Sequence, residues 1–428
     1  MTDRPPSVTA VVSTFPTPSQ TFILRKLQGL RDAGVAVTVA ATDIGPDAGA
    51  LGFPTIPLAP WRTPARSLVR STRPTRAALT AGLSGLAGRD RRWRARIVQA
   101  PLTAADTDII HFEFSGIAIT YLDAIDALRR DHRRHHRIVV SCRGAAEQIE
   151  PFRDPDRAAD LAEVFARADL IHCVSDDMRA TVESFGAPAA KILVNRPAVP
   201  VADFAPLRRS GTGTDGPLRV LCIGRLHWKK GLDDALRAMA ALRARGRDAE
   251  LRIVGEGPER EKLTFVRHTL GLADRVTLLG SRSQAEVREQ LAWADVLLLP
   301  SLSEGISNAV LEAMAAGRAV VTTDCGGMLE VVTDGRDGLV VGVADVEAMA
   351  DRLALLADDP DLRARLGTAA AARAEVDLDL SRQVRLFLDA YRTLDPSWSS
   401  SGSPDPGTDG PNAPATSATS RSDERPSR

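Results

Sequence analysis

Cationic side chains and glycines follow the apolar run Leu218–Ile223, which has the composition of a buried strand. The segment 224–231 reads GRLHWKKG, and a helical pattern of apolar residues begins directly after it. Gly224 lets the backbone approach a ligand closely, and the start of the helix provides unpaired N–H groups and the positive end of the helix dipole. Arg225 adds a fork-shaped cation and Lys230 a point-like one. Such groups can bind a diphosphate, although strand–helix loops often carry basic residues.

Two glutamates, Glu304 and Glu312, flank the predicted start of another helix. The segment 298–312 reads LLPSLSEGISNAVLE, which predicts a strand, a loop and then the helix. Eight residues of helix rise about 12 Å, so the two carboxylates can contact opposite ends of one elongated ligand. Two solvated surface glutamates are the alternative, but Glu312 lies among apolar residues, where a carboxylate needs a partner. The N–H groups that open this helix can bind phosphate; they belong to Gly305, Ile306, Ser307 and Asn308.

The turn 254–258, which reads VGEGP, also joins a strand-like run to a helical pattern. Ligands of open α/β sheets bind outside the carboxyl ends of the strands, and Gly255 would accommodate a flat or phosphorylated ligand there. A tight turn that needs positive φ explains the same glycines, and for this turn taken alone it is the favoured interpretation.

The elements that must position these residues alternate between strand-like and helical segments along the chain. Most strand-like runs are continuously apolar, which is typical of parallel strands covered by helices on both faces. Apolar residues at helical spacing lie between them. This alternation predicts a doubly wound α/β fold. The predicted strands are Val8–Ser13, Val35–Ala41, Asp108–Phe112, Arg137–Cys142, Asp169–Val174, Lys191–Val194, Leu218–Ile223, Glu250–Val254, Arg275–Leu279, Val296–Leu299, Ala319–Thr322 and Gly338–Val341.

A break near residues 204–217, which end in RRSGTGTDGP, predicts a hinge between two domains. We therefore expect a first Rossmann-like domain at residues 1–204, a linker at 205–217 and a second Rossmann-like domain at 218–377. Residues 378–395 form a predicted final helix. Residues 396–428 are rich in Ser, Pro and Gly and cannot bury a core, so we predict a disordered tail.

Composition excludes several classes of protein. An apolar fraction of 44% supports large cores, and no apolar run reaches the roughly 18 residues that a membrane-spanning helix needs. The N-terminus lacks the ordered regions of a signal peptide, so we expect a cytoplasmic location. The four cysteines are far apart and form no CxxC pair, and they indicate neither a disulfide framework nor a zinc site. They are Cys142, Cys173, Cys222 and Cys325.

A formal net charge of zero conceals a basic stretch, Arg62–Arg96, in which ten arginines face one acid. A second basic run covers Arg129–Arg137. An anionic membrane surface, nucleic acid or a merely solvated face would each explain such a stretch. Nucleic acid is disfavoured because only Trp61 and Trp93 are available for stacking on bases. We therefore predict peripheral contact with the inner face of a membrane.

The three segments that contain Gly224, Gly255 and Glu304 occur in the order and spacing of glycosyltransferase family 4, and the chain resembles that family over about residues 217–394. The resemblance implies the GT-B architecture, two facing Rossmann-like domains, with the final helix crossing back to the first domain. It implies retaining transfer of a sugar from a nucleotide-diphosphate sugar, with no cofactor and no obligatory metal. The acceptor is then a glycan or a lipid-linked molecule.

The resemblance also implies roles for residues of the second domain. Arg225 and Lys230 would neutralise the diphosphate, Glu304 would contact sugar hydroxyls, and Glu312 would bind the ribose hydroxyls. The base would lie near backbone that follows two strands, at Gly255, Ser281 and Arg282.

The first domain resembles the branch of the family that makes colanic acid and other exopolysaccharides. The loop Ser19-Gln20-Thr21 matches a segment that usually reads Ser-Glu-Thr, so any acidic role is lost at Gln20. His111 and Glu113 end a predicted strand in a segment like the family's, and we expect His111 to face the cleft between the domains. Arg143-Gly144 resembles a His-Gly segment; Arg143 would serve phosphate or acceptor, or simply pair with Glu147.

The implied chemistry is same-face attack on the anomeric carbon. Negative charge grows on the leaving phosphate, and fixed cations and the helix N-terminus near Ile306 stabilise it. The departing phosphate takes the proton of the acceptor, and His111 orients the donor sugar. Another GT-B enzyme, an epimerase or a phosphorylase, and a non-catalytic protein that binds sugar nucleotides are the alternatives.

Overall fold

A computed structural model describes residues 6–17, 20–58, 100–130, 136–209 and 216–394. Two parallel sheets form most of the core, and their strands carry β-branched and aliphatic residues that are buried on both faces. In chain order, strands β1 to β13 are Ser7–Phe15, Ala36–Ile44, Thr55–Pro57, Ile109–Phe112, Arg137–Cys142, Leu170–Cys173, Ile192–Val194, Leu218–Ile223, Ala249–Val254, Val276–Gly280, Val296–Leu299, Ala319–Thr323 and Leu339–Val341.

Helices cover both faces of the sheets. In chain order, α1 to α15 are Thr21–Asp32, Ser115–Thr120, Leu122–Arg130, Ala145–Gln148, Glu150–Arg153, Arg157–Arg167, Asp176–Ser184, Val201–Phe204, Leu232–Ala244, Arg260–Thr269, Gln284–Trp293, Asn308–Ala315, Val346–Asp358, Pro360–Asp377 and Leu380–Leu394. Short 3-10 turns lie at Pro46–Leu51, Ala189–Lys191, Ala205–Leu207, Trp228–Lys230 and Gly326–Glu330.

Strand order explains where a ligand can bind. The first sheet has the order β3-β2-β1-β4-β5-β6-β7 and the second the order β10-β9-β8-β11-β12-β13. In each sheet the order reverses beside its first strand, between β1 and β4 or between β8 and β11. The loops that follow such strands leave a crevice at the carboxyl edge, where doubly wound folds bind their ligands. The predicted doubly wound α/β fold is confirmed.

The largest differences from the predicted strands lie in the first sheet, where β2 extends to Ile44, three residues beyond the predicted end at Ala41. The strand β3, a three-residue edge strand that ends at Pro57, was not predicted. Proline is tolerated there because an edge strand has one unpaired side. The strand β1 extends to Phe15, two residues beyond the predicted end at Ser13. The predicted disordered tail at 396–428 lies outside the described residues.

The last helix, α15, leaves the second sheet and packs on the first. Val384, Phe387 and Tyr391 share a core with Val8, Leu27 and other residues of β1 and α1. Their spacing of three and then four residues forms one apolar stripe. The preceding helix α14 packs instead against the second sheet, so the chain passes between the two cores near Leu378 and Asp379.

Substitution of Phe387 tests the packing of α15 on the first sheet. Its ring is fully buried against His172 and Tyr391, so Phe387→Ala should lower the free energy of unfolding by about 3–5 kcal/mol. The matched control is the neighbouring Leu386→Ala, whose side chain is 38% exposed and whose loss should change the free energy of unfolding by less than about 1 kcal/mol. Urea unfolding followed by circular dichroism measures both, and equal effects would contradict this packing.

Candidate functional site

A cleft of about 970 Å³ lies between the two halves of the chain. Loops that follow β1, β4, β5, β8 and β11 line it, so it lies at the reversal point of both sheets. All twelve predicted site residues of the second half line this cleft. They are Gly224, Arg225, Lys230, Gly255, Ser281, Arg282, Glu304, Gly305, Ile306, Ser307, Asn308 and Glu312.

Backbone packing fixes the loop after β8. Gly231 has φ 57°, and a Cβ atom there would lie 2.0 Å from the carbonyl oxygen of Pro300, so only glycine fits. Gly255 has φ 143°, and a Cβ atom there would lie 1.9 Å from the carbonyl oxygen of Gly224. The alternative interpretation of the 254–258 turn therefore accounts for Gly255, which also lines the cleft.

Lys230 and Glu304 form an ion pair across the cleft floor. Lys230 Nζ contacts Glu304 Oε1, which also accepts a hydrogen bond from Ser301 Oγ at 2.9 Å. Glu304 is 8% exposed, so the charge of Lys230 is balanced locally before any ligand binds. Arg225 is exposed and forms no ion pair with the described residues. Its guanidinium is therefore available to a ligand.

The N-terminus of α12 provides backbone donors. The N–H groups of Gly305, Ile306 and Asn308 have no acceptor among the described residues, as expected for a helix start. Ser307 differs, because its N–H donates to Met328 Sδ at 3.4 Å. Ser307 lines the cleft, but its N–H is less available to a phosphate than those of its neighbours. The Oδ1 atom of Asn308 is buried without a protein donor.

Glu312 has the partner that its apolar surroundings required. Arg25 of α1 donates from Nη1 to Glu312 Oε1 at 2.8 Å, and both side chains are only 10% exposed. The two residues are 287 positions apart and belong to different sheets. Burial raises the pKa of Glu312, and Arg25 opposes that shift. The sequence analysis predicted a partner but did not identify Arg25.

On the first sheet, one buried carboxylate holds two cations. Glu113 pairs with Lys26 of α1 and with Arg143, whose Nη2 lies 2.8 Å from Glu113 Oε2. Arg143 also lies over the ring of Phe22, with 5.0 Å to the ring centroid, and it lines the cleft. The expected alternative, pairing of the Arg143 guanidinium with Glu147, is wrong. Glu147 instead accepts hydrogen bonds from the backbone N–H groups of Arg143 and Gly144.

His111 does not face the cleft, and that expectation is wrong. Its side chain is fully buried, with Nδ1 2.7 Å from Tyr391 Oη and Nε2 2.8 Å from Ser141 Oγ. Burial lowers the pKa of His111 well below its usual range, and the charge of Lys26 adds to this. Glu113 is also fully buried, beneath Arg143, so it cannot contact an acceptor directly. The strand-end position placed both side chains in the core because β4 is covered on both faces.

The other first-half predictions are divided. Gln20 and Thr21 line the cleft, whereas Ser19 and the basic stretch Arg62–Arg96 lie outside the described residues. Gly144 lies behind the cleft wall, where a Cβ atom would be 3.8 Å from the backbone nitrogen of Gly305. Sequence reasoning missed Phe22 and Trp228; Trp228 is 48% exposed at the cleft.

The described residues lack two further features. They contain no cluster of three or more His, Cys, Asp or Glu side chains placed to hold a metal ion. In the same residues, none of the helices has the length and apolarity that crossing a bilayer requires.

Comparison with known proteins places both halves of the chain in sugar-transfer families. Residues 19–203 match the model described as Glycosyltransferase Family 4, and residues 217–359 match Glycosyl transferases group 1. The candidate colanic acid biosynthesis glycosyltransferase WcaL of Salmonella typhimurium is 34% identical over 58% of this chain and 61% of its own length. The amylovoran biosynthesis glycosyltransferase AmsK of Erwinia amylovora is 30% identical over 68% of this chain and 69% of its own. The chain thus spans about three fifths of the WcaL relative.

Solved structures share the whole fold. The structure of Anabaena HepE in complex with UDP and glucose aligns with a TM-score of 0.71 over 91% of this chain and all of that one, at 17% identity. Sucrose-phosphate synthase from Thermosynechococcus elongatus aligns with a TM-score of 0.72 over 92% of this chain, also over its whole length, at 18% identity. The two sheets thus form the GT-B architecture that the sequence predicted.

The Glu113 cluster predicts a pH-dependent stability. Burial alone raises the pKa of Glu113, but Lys26, then His111 and Arg143, reverse this shift, so the folded pKa lies well below its usual range. Because the folded pKa is depressed, the stabilisation is present above the unfolded value of about 4.3 and is lost as the pH falls below it. Glu113→Gln should lower the free energy of unfolding by about 3–5 kcal/mol at pH 7, because it leaves two cations buried beside an uncharged group.

Urea unfolding at several pH values tests this prediction. The free energies of unfolding of the wild type and Glu113→Gln should become more similar when the pH falls from about 5 towards 3, because the carboxylate of the unfolded chain protonates in that range. Glu183→Gln on the exposed face of α7 is the matched control, and it should change the free energy of unfolding by less than about 0.5 kcal/mol. A pH-independent difference would contradict the depressed pKa of Glu113.

Proposed function

The chain belongs to glycosyltransferase family 4, and from that premise we propose that it is a retaining transferase that moves a sugar from a nucleotide-diphosphate sugar to a glycan or lipid-linked acceptor. The observation that carries the proposal is the convergence of Arg225, Lys230 and the α12 N-terminus on one cleft, at the reversal point of the second sheet. A diphosphate is the ligand that two cations and unpaired helix N–H groups suit best. HepE, which shares the fold, binds UDP and glucose in its own structure.

We assign the donor along the cleft from the base to the sugar. The base lies near Gly255, Ser281 and Arg282, and the ribose hydroxyls donate to Glu312. The diphosphate contacts Gly224, Arg225, Lys230 and the N–H groups of Gly305, Ile306 and Asn308. Glu304 lies at the sugar end, where its carboxylate keeps Lys230 in place.

Electrostatics carry the reaction in this proposal. Breaking the bond between the anomeric carbon and the phosphate leaves negative charge on the departing diphosphate, and Arg225, Lys230 and the α12 dipole stabilise it without rearranging. The acceptor hydroxyl attacks from the same face and passes its proton to the leaving phosphate. His111 has no part in these steps, because both of its ring nitrogens are occupied inside the core.

The acceptor side is formed by Gln20, Thr21, Phe22 and Arg143, which line the opposite wall of the cleft. Similarity to WcaL and AmsK supports a role in exopolysaccharide or other cell-surface glycan synthesis. Cytoplasmic location stays a prediction. Membrane contact through Arg62–Arg96 also stays a prediction, because that stretch lies outside the described residues.

Lys230→Ala tests the phosphate site. The change removes a cation that stabilises the leaving group, so turnover should fall by about 10²–10³-fold. The assay measures nucleotide release from whichever UDP-, GDP-, ADP- or TDP-sugar raises the melting temperature of the protein most. Lys262→Ala is the matched control, because Lys262 pairs with Asp233 and Glu259 outside the cleft.

Melting curves separate a catalytic loss from a folding loss, since Lys230→Ala leaves Glu304 without its cation. A folded variant that keeps more than about one tenth of wild-type turnover, a loss of less than ~1.4 kcal/mol, would contradict the placement of Lys230.

The stereochemical outcome is a separate prediction. Proton NMR of the first product formed from the selected donor should show the anomeric configuration of the donor, because attack and departure occur on one face. Mass spectrometry of the quenched enzyme should show no glycosyl adduct. An inverted product or a covalent adduct would overturn the mechanism while leaving the donor site intact.

A further inference from the structure

The ion pair between Arg25 and Glu312 crosses the cleft. Arg25 lies in the middle of α1 on the first sheet, and Glu312 lies in the middle of α12 on the second. Arg25 is 8% exposed, and its guanidinium lies 5.8 Å from the centroid of the Phe204 ring. Both residues line the cleft. The contact therefore joins the two domains inside the candidate donor site.

The carboxylate of Glu312 is only partly used. Oε1 accepts the hydrogen bond from Arg25, whereas Oε2 accepts none from the described residues. A carboxylate offers about four acceptor positions, so three remain for hydroxyl donors. A pair of ribose hydroxyls can therefore bind while Arg25 stays in place.

We propose that Arg25 is a positioning residue for the donor: it holds the Glu312 carboxylate at the orientation in which Oε2 faces the ribose hydroxyls. This inference rests on the proposed function, in which Glu312 binds ribose. Because Arg25 comes from the opposite domain, the ribose site is complete only when the two domains are together. Arg25 thereby couples donor binding to the closed arrangement of the cleft.

The electrostatics of the site agree with this role. Burial raises the pKa of Glu312, and Arg25 is the main group that lowers it, followed by Arg288 of α11. Arg288 itself lies 3.9 Å from Asp203 of α8. Glu375 of α14 forms an ion pair with Arg208. Arg208 also donates a hydrogen bond to the carbonyl oxygen of Ala315, at the end of the helix that carries Glu312. Removing Arg25 leaves Arg288 to act alone, so protonation of Glu312 becomes easier.

Protonation would weaken ribose binding. A neutral carboxyl group donates one hydrogen bond and loses part of its acceptor capacity, whereas the two ribose hydroxyls need an acceptor. The loss in Arg25→Gln should therefore grow as the pH falls. A merely structural role for Arg25 would weaken binding by the same factor at every pH.

Isothermal titration calorimetry with UDP, GDP, ADP and TDP tests the proposal. For the nucleotide that the wild type binds most tightly, Arg25→Gln should raise Kd at least about tenfold at pH 7.5, and the ratio of variant to wild-type Kd should increase towards pH 5.5. Both proteins are measured with the same nucleotide at the same pH, so the titration of its phosphate, with a second pKa of about 6, cancels in the ratio of the two Kd values. Arg25→Lys keeps the charge. This variant should bind the nucleotide more tightly than Arg25→Gln does, and its ratio of variant to wild-type Kd should change little with pH.

Two further variants make the test specific. Arg31→Gln lies on the same helix, six residues on and outside the cleft lining, and should bind the nucleotide as the wild type does. In a Glu312→Gln background, Arg25→Gln should have no further effect on Kd, because Arg25 acts through the carboxylate. Additive effects of the two changes would overturn the positioning role.

The outcomes separate this inference from the proposed function. If the wild type binds none of the four nucleotides, the donor site itself fails. If the wild type binds one and Arg25→Gln binds it equally well, or more weakly by the same factor at every pH, the donor site stands and the role of Arg25 is refuted.

Discussion

Parallel strands end at one edge of a sheet, and this constraint positions every group in the cleft. All strand pairs among the described residues are parallel, so the loops after β8 and β11 emerge side by side at the second sheet. Tight backbone contact then fixes them against each other, because the carbonyl oxygen of Pro300 occupies the space that a side chain at Gly231 would need. Lys230 and Glu304, 74 residues apart, meet as a result.

Three cations of the cleft are already neutralised before a ligand enters. Lys230 pairs with Glu304, Arg25 with Glu312 and Arg143 with Glu113. Paired charges keep fixed orientations in a partly buried site, and a fixed orientation is what transition-state stabilisation requires. The pair of Lys230 and Glu304 lies within the second domain, and the pair of Arg143 and Glu113 lies within the first. The pair of Arg25 and Glu312 joins the two domains. In the proposed function, donor binding and domain contact therefore depend on related ion pairs.

Local patterns were sufficient to predict the fold and the residues of the second domain that were expected to line the cleft. Continuous apolar runs identified β8 and β11 to the residue, and the GRLHWKKG and SEGISNAVLE segments identified residues that line the cleft. The three-residue β3 was missed because so short an edge strand leaves no pattern of its own. Contacts between distant segments were not predictable, since no local rule pairs Arg25 with Glu312.

The first domain shows why strand-end residues mislead. His111 and Glu113 stand at the end of β4, where a cleft position was reasonable, but α15 returns from the second domain and Tyr391 covers His111. One signal was available: Lys26 falls on the buried stripe of α1 with Ile23, Leu27 and Leu30, which required a buried counter-ion. That counter-ion is Glu113, so its role is to hold Arg143 and Lys26 rather than to contact a substrate.

A crystal structure of the protein with its tightest-binding nucleoside diphosphate tests the central claim most directly. The account predicts the diphosphate against Arg225, Lys230 and the N-terminus of α12, with the ribose hydroxyls within hydrogen-bond distance of Glu312 and Arg25 still paired to that carboxylate. A nucleotide bound elsewhere, or a ribose that makes no contact with Glu312, would contradict it.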